Sequence, residues 1–276
     1  MSKKRIESER SDEMSFLDHL EELRWHIVRA SIAIMILAVV AFIAKHVVFD
    51  LILFAPKSPD FATYRFFCWM GNSLGLDDSL CLEEMPFVLQ NISLSGQFAT
   101  HIWVSLIAGF IGGFPYVVYE IWRFIAPGLH PSERKSSRRI LGWSSVLFFS
   151  GVLFGYYLIT PLSIQFLGNY TISDQVLNEI NLQSFISTVT TVTLVNGLVF
   201  ELPIIIYFLA RVGLVTPEWM TTYRKHAFVV ILILSAIITP PDVSSQLLVT
   251  LPLFGLYQIS IGIARRVVKQ SQNLKA

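Results

Sequence analysis

The sequence predicts an all-α polytopic membrane protein with six transmembrane helices and both termini on the cytoplasmic side. Three observations carry that prediction. Apolar residues make up 53% of the chain and charged residues 15%, against about 25% charged in an ordinary soluble domain. The apolar residues gather into six runs, about residues 27–48, 98–121, 140–167, 185–210, 227–239 and 243–264. Every Lys and Arg except Lys45, Lys57 and Arg65 falls before the first run, between the second and third, between the fourth and fifth, after the sixth, or at a run end facing those segments. Basic residues collect on the cytoplasmic side of a membrane protein, so this alternation sets the orientation.

Residues 1–13 are polar and mixed in charge, as in a solvated cytoplasmic tail. Residues 14–26 place Phe16, Leu17, Leu20 and Leu23 at helical spacing, with Ser15 and Asp18 in capping-box positions. That pattern predicts an amphipathic helix lying at the interface before the first span. The membrane domain then covers residues 14–266, and residues 267–276 form a second short tail. The run 227–239 is short: at 1.5 Å per residue it reaches roughly 20 Å, less than the ~30 Å hydrocarbon core.

Residues 49–95 form a long first external loop. It carries Asp50, Asp60, Asp77, Asp78, Glu83 and Glu84 against Lys57 and Arg65. It also holds the only two cysteines, Cys68 and Cys81. On an oxidising side of the membrane they can pair; two free thiols are the alternative. Gly109 with Gly113, and Gly151 with Gly155, repeat the small-residue spacing that lets membrane helices approach closely.

Two carboxylates stand out. Between Gly113 and Arg139 the chain runs through Tyr116, Tyr119, Trp122 and Phe124 and then Arg134, Lys135, Arg138 and Arg139. Aromatic residues followed by basic ones mark a helix leaving the bilayer on its cytoplasmic side. Glu133 inside that loop is not explained by the charge bias, and it predicts a recognition role. Glu201 lies in the fourth run, where a carboxylate costs roughly 2.5–3.5 kcal/mol on insertion scales. It needs a partner, a wet cavity or a route to the headgroups; Thr193 and Asn196 upstream are candidates to solvate it.

Other chemistry finds no support. A net charge of +1 gives no basic field for nucleic acid. The six histidines are scattered, so no metal site is expected. No cofactor motif, nucleotide loop or nucleophile setting is present, which predicts a protein that is not an enzyme.

Four motifs in order resemble the TatC family, the multispanning subunit of the twin-arginine protein translocase. They are H-L-E-E-L-R from His19 to Arg24, F-I-A-P-G-L-H-P-S-E-R-K from Phe124 to Lys135, F-E-L-P from Phe200 to Pro203, and T-P-P-D-V-S-S-Q from Thr239 to Gln246. The resemblance covers about residues 15–266. It implies a protein of the bacterial inner membrane that binds twin-arginine signal peptides. It further implies work with single-span subunits of TatA and TatB type, self-association, and export of folded proteins on the proton-motive force. It places signal binding on Glu22, Glu133 and Phe124, an intramembrane polar contact on Glu201, and external roles on Pro56, Asp242 and Gln246. The chemistry suits that assignment: a carboxylate accepts two guanidinium N–H groups side by side, and lysine cannot match that fork. Trp122 and Phe124 would add a cation–π wall. A proton-coupled secondary transporter using Glu201, and a non-catalytic assembly scaffold, are the competing readings.

Overall fold

The computed structural model describes residues 16–73, 75, 81, 87–125, 137–173, 175, 179–239 and 243–273. Ser15, Glu133 and Asp242 lie outside the described residues.

Helix α1 runs unbroken from Phe16 to Ile43. The predicted interfacial helix and first span are therefore one rod. No glycine or proline between Phe16 and Ile43 interrupts the backbone ladder. The chain then forms a π-turn at Val47–Leu53, a 3₁₀ turn at Ala55–Lys57 and helix α2 at Ala62–Ser73. These build a cap over one end of the molecule, and a disulfide joins Cys68 to Cys81.

Helix α3, Gly96–Ile125, packs along α1. At their crossing Gly109 is required: a Cβ there would lie 2.6 Å from the Ala38 nitrogen and 2.7 Å from the Ile34 carbonyl oxygen. The next rod is α4, Ser137–Phe154, a π-turn at Gly155–Ile159, and α5, Thr160–Asn169. Pro161 explains part of its shape. It has no N–H for the carbonyl of Tyr157 one turn back, and that carbonyl instead accepts the Thr63 hydroxyl of the cap.

Helix α6, Leu182–Val199, is capped by the Asn181 side chain, which accepts from the Gln183 N–H at 2.8 Å. It crosses α4 closely: a Cβ on Gly151 would lie 2.5 Å from the Asn196 carbonyl oxygen. The ladder breaks at Phe200–Glu201 and resumes as α7, Leu202–Val212, with Pro203 in its first turn. Gly213, at φ +83°, ends α7 in the left-handed conformation. Helices α8, Pro217–Thr222, α9, Arg224–Ile238, and α10, Val243–Asn273, complete the chain, with α7 and α9 against α10.

Five helical rods among the described residues are long and apolar enough to cross a membrane. α9 has 15 residues and falls short of that length. The protein is thus an all-α polytopic membrane protein, with one small addition. Strand β1, Val88–Gln90, pairs in parallel with β2, Glu179–Asn181, and ties the two segments together at the cap.

Candidate recognition site and intramembrane carboxylates

At the end opposite the cap, α1 and α3 bring two charged faces together. Glu22, His26 and Arg29 share one face of α1 at helical spacing. Tyr116, Glu120, Arg123 and Phe124 share one face of α3 by the same rule. Glu120 is the centre: it is 1% exposed. His26, 6% exposed, donates from Nδ1 to Glu120 Oε2 at 2.5 Å. Arg29 lies 4.0 Å from Oε2 and Arg123 lies 3.9 Å from Oε1. The Tyr116 hydroxyl also lies beside Glu120. Three basic side chains and a hydroxyl thus surround this buried acid.

His26 links that cluster to two residues predicted to bind signal. Its Nε2 lies 3.9 Å from Glu22 Oε1, and its ring meets Phe124 edge-on with centroids 6.3 Å apart. With Nδ1 committed to Glu120, Nε2 faces Glu22 at a distance beyond hydrogen bonding. The Glu22 carboxylate is therefore placed but not consumed. Arg24 turns instead to Glu21, 3.7 Å away. Trp122 is elsewhere. Two residues past Glu120 means roughly 200° around the helix, and its buried indole packs on Phe208 of α7, 5.4 Å between centroids. It serves the α3–α7 packing, not the face holding Glu22 and Phe124.

Glu201 sits at the break between α6 and α7 and is 8% exposed. From Arg211 it is about 15 Å along the helix axis, half the thickness of a ~30 Å hydrocarbon core. Oε2 accepts the Ser144 hydroxyl of α4 at 2.8 Å. Oε1 is buried with no hydrogen-bond partner among the described residues. Glu201 stands at the N-cap position of α7, but its side chain makes no capping hydrogen bond there. Thr193 and Asn196 do not solvate it as the sequence suggested. The Asn196 amide donates to the Val192 carbonyl, and the Asn196 Oδ1 and Thr193 hydroxyl have no partner among the described residues.

Pro56 and Gln246 each make a contact between elements. Pro56 is buried, and its carbonyl oxygen lies 3.0 Å from the Tyr64 hydroxyl, which is also 3.0 Å from the Pro161 carbonyl oxygen. Burial pushes the Tyr64 phenol well above its ordinary range, so it remains a donor. Gln246 on α10 donates to the Leu232 carbonyl of α9 at 3.3 Å, beside a Ser235–Thr250 hydroxyl pair 2.7 Å apart.

Sequence reasoning missed Glu120, His26, Arg29 and Ser144. The spacings of Glu22, His26 and Arg29, and of Tyr116, Glu120 and Arg123, held a signal: each is one polar stripe entering an apolar helix.

Comparison with known proteins agrees with the architecture. The family profile for Sec-independent protein translocase protein (TatC) matches residues 18–252. The Sec-independent protein translocase protein TatC of Blattabacterium sp. subsp. Periplaneta americana is 40% identical over 260 residues, covering 94% of this chain and 98% of that one. The TatC protein of Halalkalibacterium halodurans is 30% identical over 263 residues, covering 95% and 94%. A crystal structure of the twin-arginine translocase receptor TatC superposes with a TM-score of 0.68 at 31% identity, over 91% of this chain and 99% of that one. Shared motifs, shared helical architecture and near full-length similarity lead to one conclusion: the chain belongs to the TatC family.

Proposed function

We propose that this chain works as the receptor subunit of a twin-arginine translocase, reading the arginine pair of a signal peptide with Glu22 and Glu133. Family membership makes it a Sec-independent translocase subunit. The observation that carries the recognition chemistry is the His26–Glu120 contact. It fixes the helix bearing Glu22 to the foot of α3, a few residues before the loop bearing Glu133. Phe124 supplies the aromatic wall beside the guanidinium groups. His26 and Glu120 act as positioning residues: they hold Glu22 without occupying it.

The topology that serves this role has six crossings and both termini in the cytoplasm, with α9 as a short fifth crossing in a locally thinned bilayer. The membrane is the bacterial inner membrane. Glu201 offers Oε1 to a polar side chain on a single-span partner of TatA or TatB type. Since Oε1 is enclosed, that contact forms at the break between α6 and α7, where the helix ladder is already interrupted. The assembled complex exports folded proteins using the proton-motive force, with this chain as receptor and scaffold rather than as an enzyme.

The test is twin-arginine peptide affinity in detergent for wild type, Glu22→Gln, Glu133→Gln and the double variant, with a twin-lysine control. Each single change should lose about 1.5–3 kcal/mol, the range for charge-assisted hydrogen bonds, or about tenfold or more in affinity. Equal affinities across the set refute the assignment. His26→Gln should weaken binding in wild type and add little in the Glu22→Gln background, because it acts through Glu22. Full additivity would remove the positioning role while leaving the recognition carboxylates intact.

A further inference from the structure

Helix α2 presents two faces of different chemistry. One face is bonded to the protein. Thr63 donates to the Tyr157 carbonyl, and the Tyr64 hydroxyl lies 3.0 Å from the Pro161 carbonyl oxygen. Phe61, just before the helix, stacks on the Tyr157 ring with centroids 5.5 Å apart. The other face carries Arg65, Phe66 and Trp69 at helical spacing. Phe66 is 55% exposed and Trp69 is 64% exposed, with their rings 6.2 Å apart. The core of the fold does not use them.

We propose that this face is a membrane anchor, with α2 lying in the plane of the lipid headgroups at the cap end and Phe66 and Trp69 immersed among the upper acyl chains. Depth is the first argument. The third rod becomes apolar at Leu141, directly after Arg138 and Arg139. Roughly 20 helical residues span the ~30 Å core, so the far boundary falls near Thr160 and Pro161. Helix α2 is bonded at and just inside that boundary, to the carbonyls of Pro161 and Tyr157. Chemistry is the second. Trp and Phe with one Arg on a single helical face is the composition of an interfacial helix: the rings enter the acyl boundary and the guanidinium meets lipid phosphate. Continuity is the third. Tyr157 lies one turn beyond Leu153 on the same face of its rod, and both are exposed. The outward surface of that rod therefore leads onto α2. The lipid contact of α2 is independent of the recognition chemistry of Glu22 and Glu133.

The cap then has a mechanical role. Its inner face is bonded to the rod at Tyr157 and Pro161, its outer face is held by lipid, and a disulfide ties α2 to Cys81.

The full chain, wild type and Trp69→Phe, is reconstituted in phosphatidylcholine–phosphatidylglycerol vesicles whose acyl chains are brominated either near the headgroup or near the chain terminus. The difference emission of the two proteins isolates Trp69 from the other tryptophans. It should be quenched more by the shallow bromines than by the deep ones, and only weakly by aqueous iodide. Strong iodide quenching without bromine quenching would place the face in water and overturn the anchor. Protection from all three quenchers would assign the face to a second protein chain, and would overturn it equally. A nitroxide at Phe66→Cys gives a second readout, since both native cysteines are bonded. It should collide more with oxygen than with a water-soluble nickel complex, and the reverse order counts against the proposal.

Discussion

Glu120 and Glu201 are both acids buried inside membrane helices, at 1% and 8% exposure, yet their surroundings are opposite. Glu120 meets His26, Arg29, Arg123 and a Tyr116 hydroxyl. Glu201 has one hydroxyl, from Ser144, and an oxygen without a partner among the described residues. A buried charge is tolerated when its neighbours replace water, and is otherwise a standing cost. Glu120 is therefore explained by the chain itself. It joins α1 to α3, and its removal leaves His26, Arg29 and Arg123 facing one another. Glu201 keeps one enclosed oxygen that no described residue satisfies. Burial alone does not tell the two acids apart; the number of basic side chains around each does.

The largest expected effect breaks the saturated cluster. Glu120→Ala should destabilise the protein by about 3–5 kcal/mol, the range for removing one partner of a buried ion pair. The measurement is the thermal unfolding midpoint in detergent beside membrane abundance. Glu120→Gln, which keeps an acceptor for His26, should recover part of the loss. A midpoint unchanged by Glu120→Ala would mean that the basic residues do not depend on this acid, and the contrast with Glu201 would collapse.

A smaller effect tests whether the scaffold around Glu201 is as rigid as its packing implies. Ser144 reaches Glu201 because α4 and α6 approach at Gly151, where a Cβ would meet the Asn196 carbonyl oxygen at 2.5 Å and the Phe200 ring at 2.7 Å. Gly151→Ala should cost about 1–3 kcal/mol through overpacking. Gly142→Ala on the same helix meets nothing within 4 Å and should leave stability unchanged or slightly improved, since alanine favours helix. Equal midpoints for the two variants would show that the crossing relaxes easily.

These two sites also mark what the sequence could disclose. The long spans were legible because crossing a hydrocarbon core demands length and apolarity, and both are read directly. Glu201 was legible because a lone acid in an apolar run has few excuses. Its partner was not: Ser144 is 57 residues away, and a serine in a membrane helix carries no signal of its own. Glu120 was hidden for a different reason. It stands among Tyr116, Tyr119, Trp122 and Phe124, and a linear reading absorbs it into an aromatic belt. Only its contact with His26, 94 residues away in sequence, shows that it faces inward. The same linear view did not show that the helix turns Trp122 toward Phe208. The glycine pairs were visible as spacing, but the helices they admit became known only from the fold. The link between α1's amphipathic start and its span was decided by what is missing, a residue able to break the helix.

The smallest expected change in stability is at Glu201, and it sharpens the comparison most. If the unpartnered oxygen serves a partner, then the isolated chain should gain little from the carboxylate. Replacing a poorly satisfied buried charge with an apolar side chain of similar volume is often neutral or stabilising, and insertion scales favour leucine over an acid inside the core. Glu201→Leu should therefore keep the unfolding midpoint within about 1 kcal/mol of wild type or raise it, losing only the bond to Ser144. Glu201→Gln should do the same while retaining an acceptor for the Ser144 hydroxyl. Function should divide the two from wild type and from each other. Crosslinking to single-span partners and export of a folded reporter should fall strongly for Glu201→Leu and partly for Glu201→Gln, since the amide still forms hydrogen bonds but carries no charge. A Glu201→Leu protein that exports and crosslinks as wild type does would make the acid a tolerated residue. One that loses as much stability as Glu120→Ala would place its open oxygen in service of the fold.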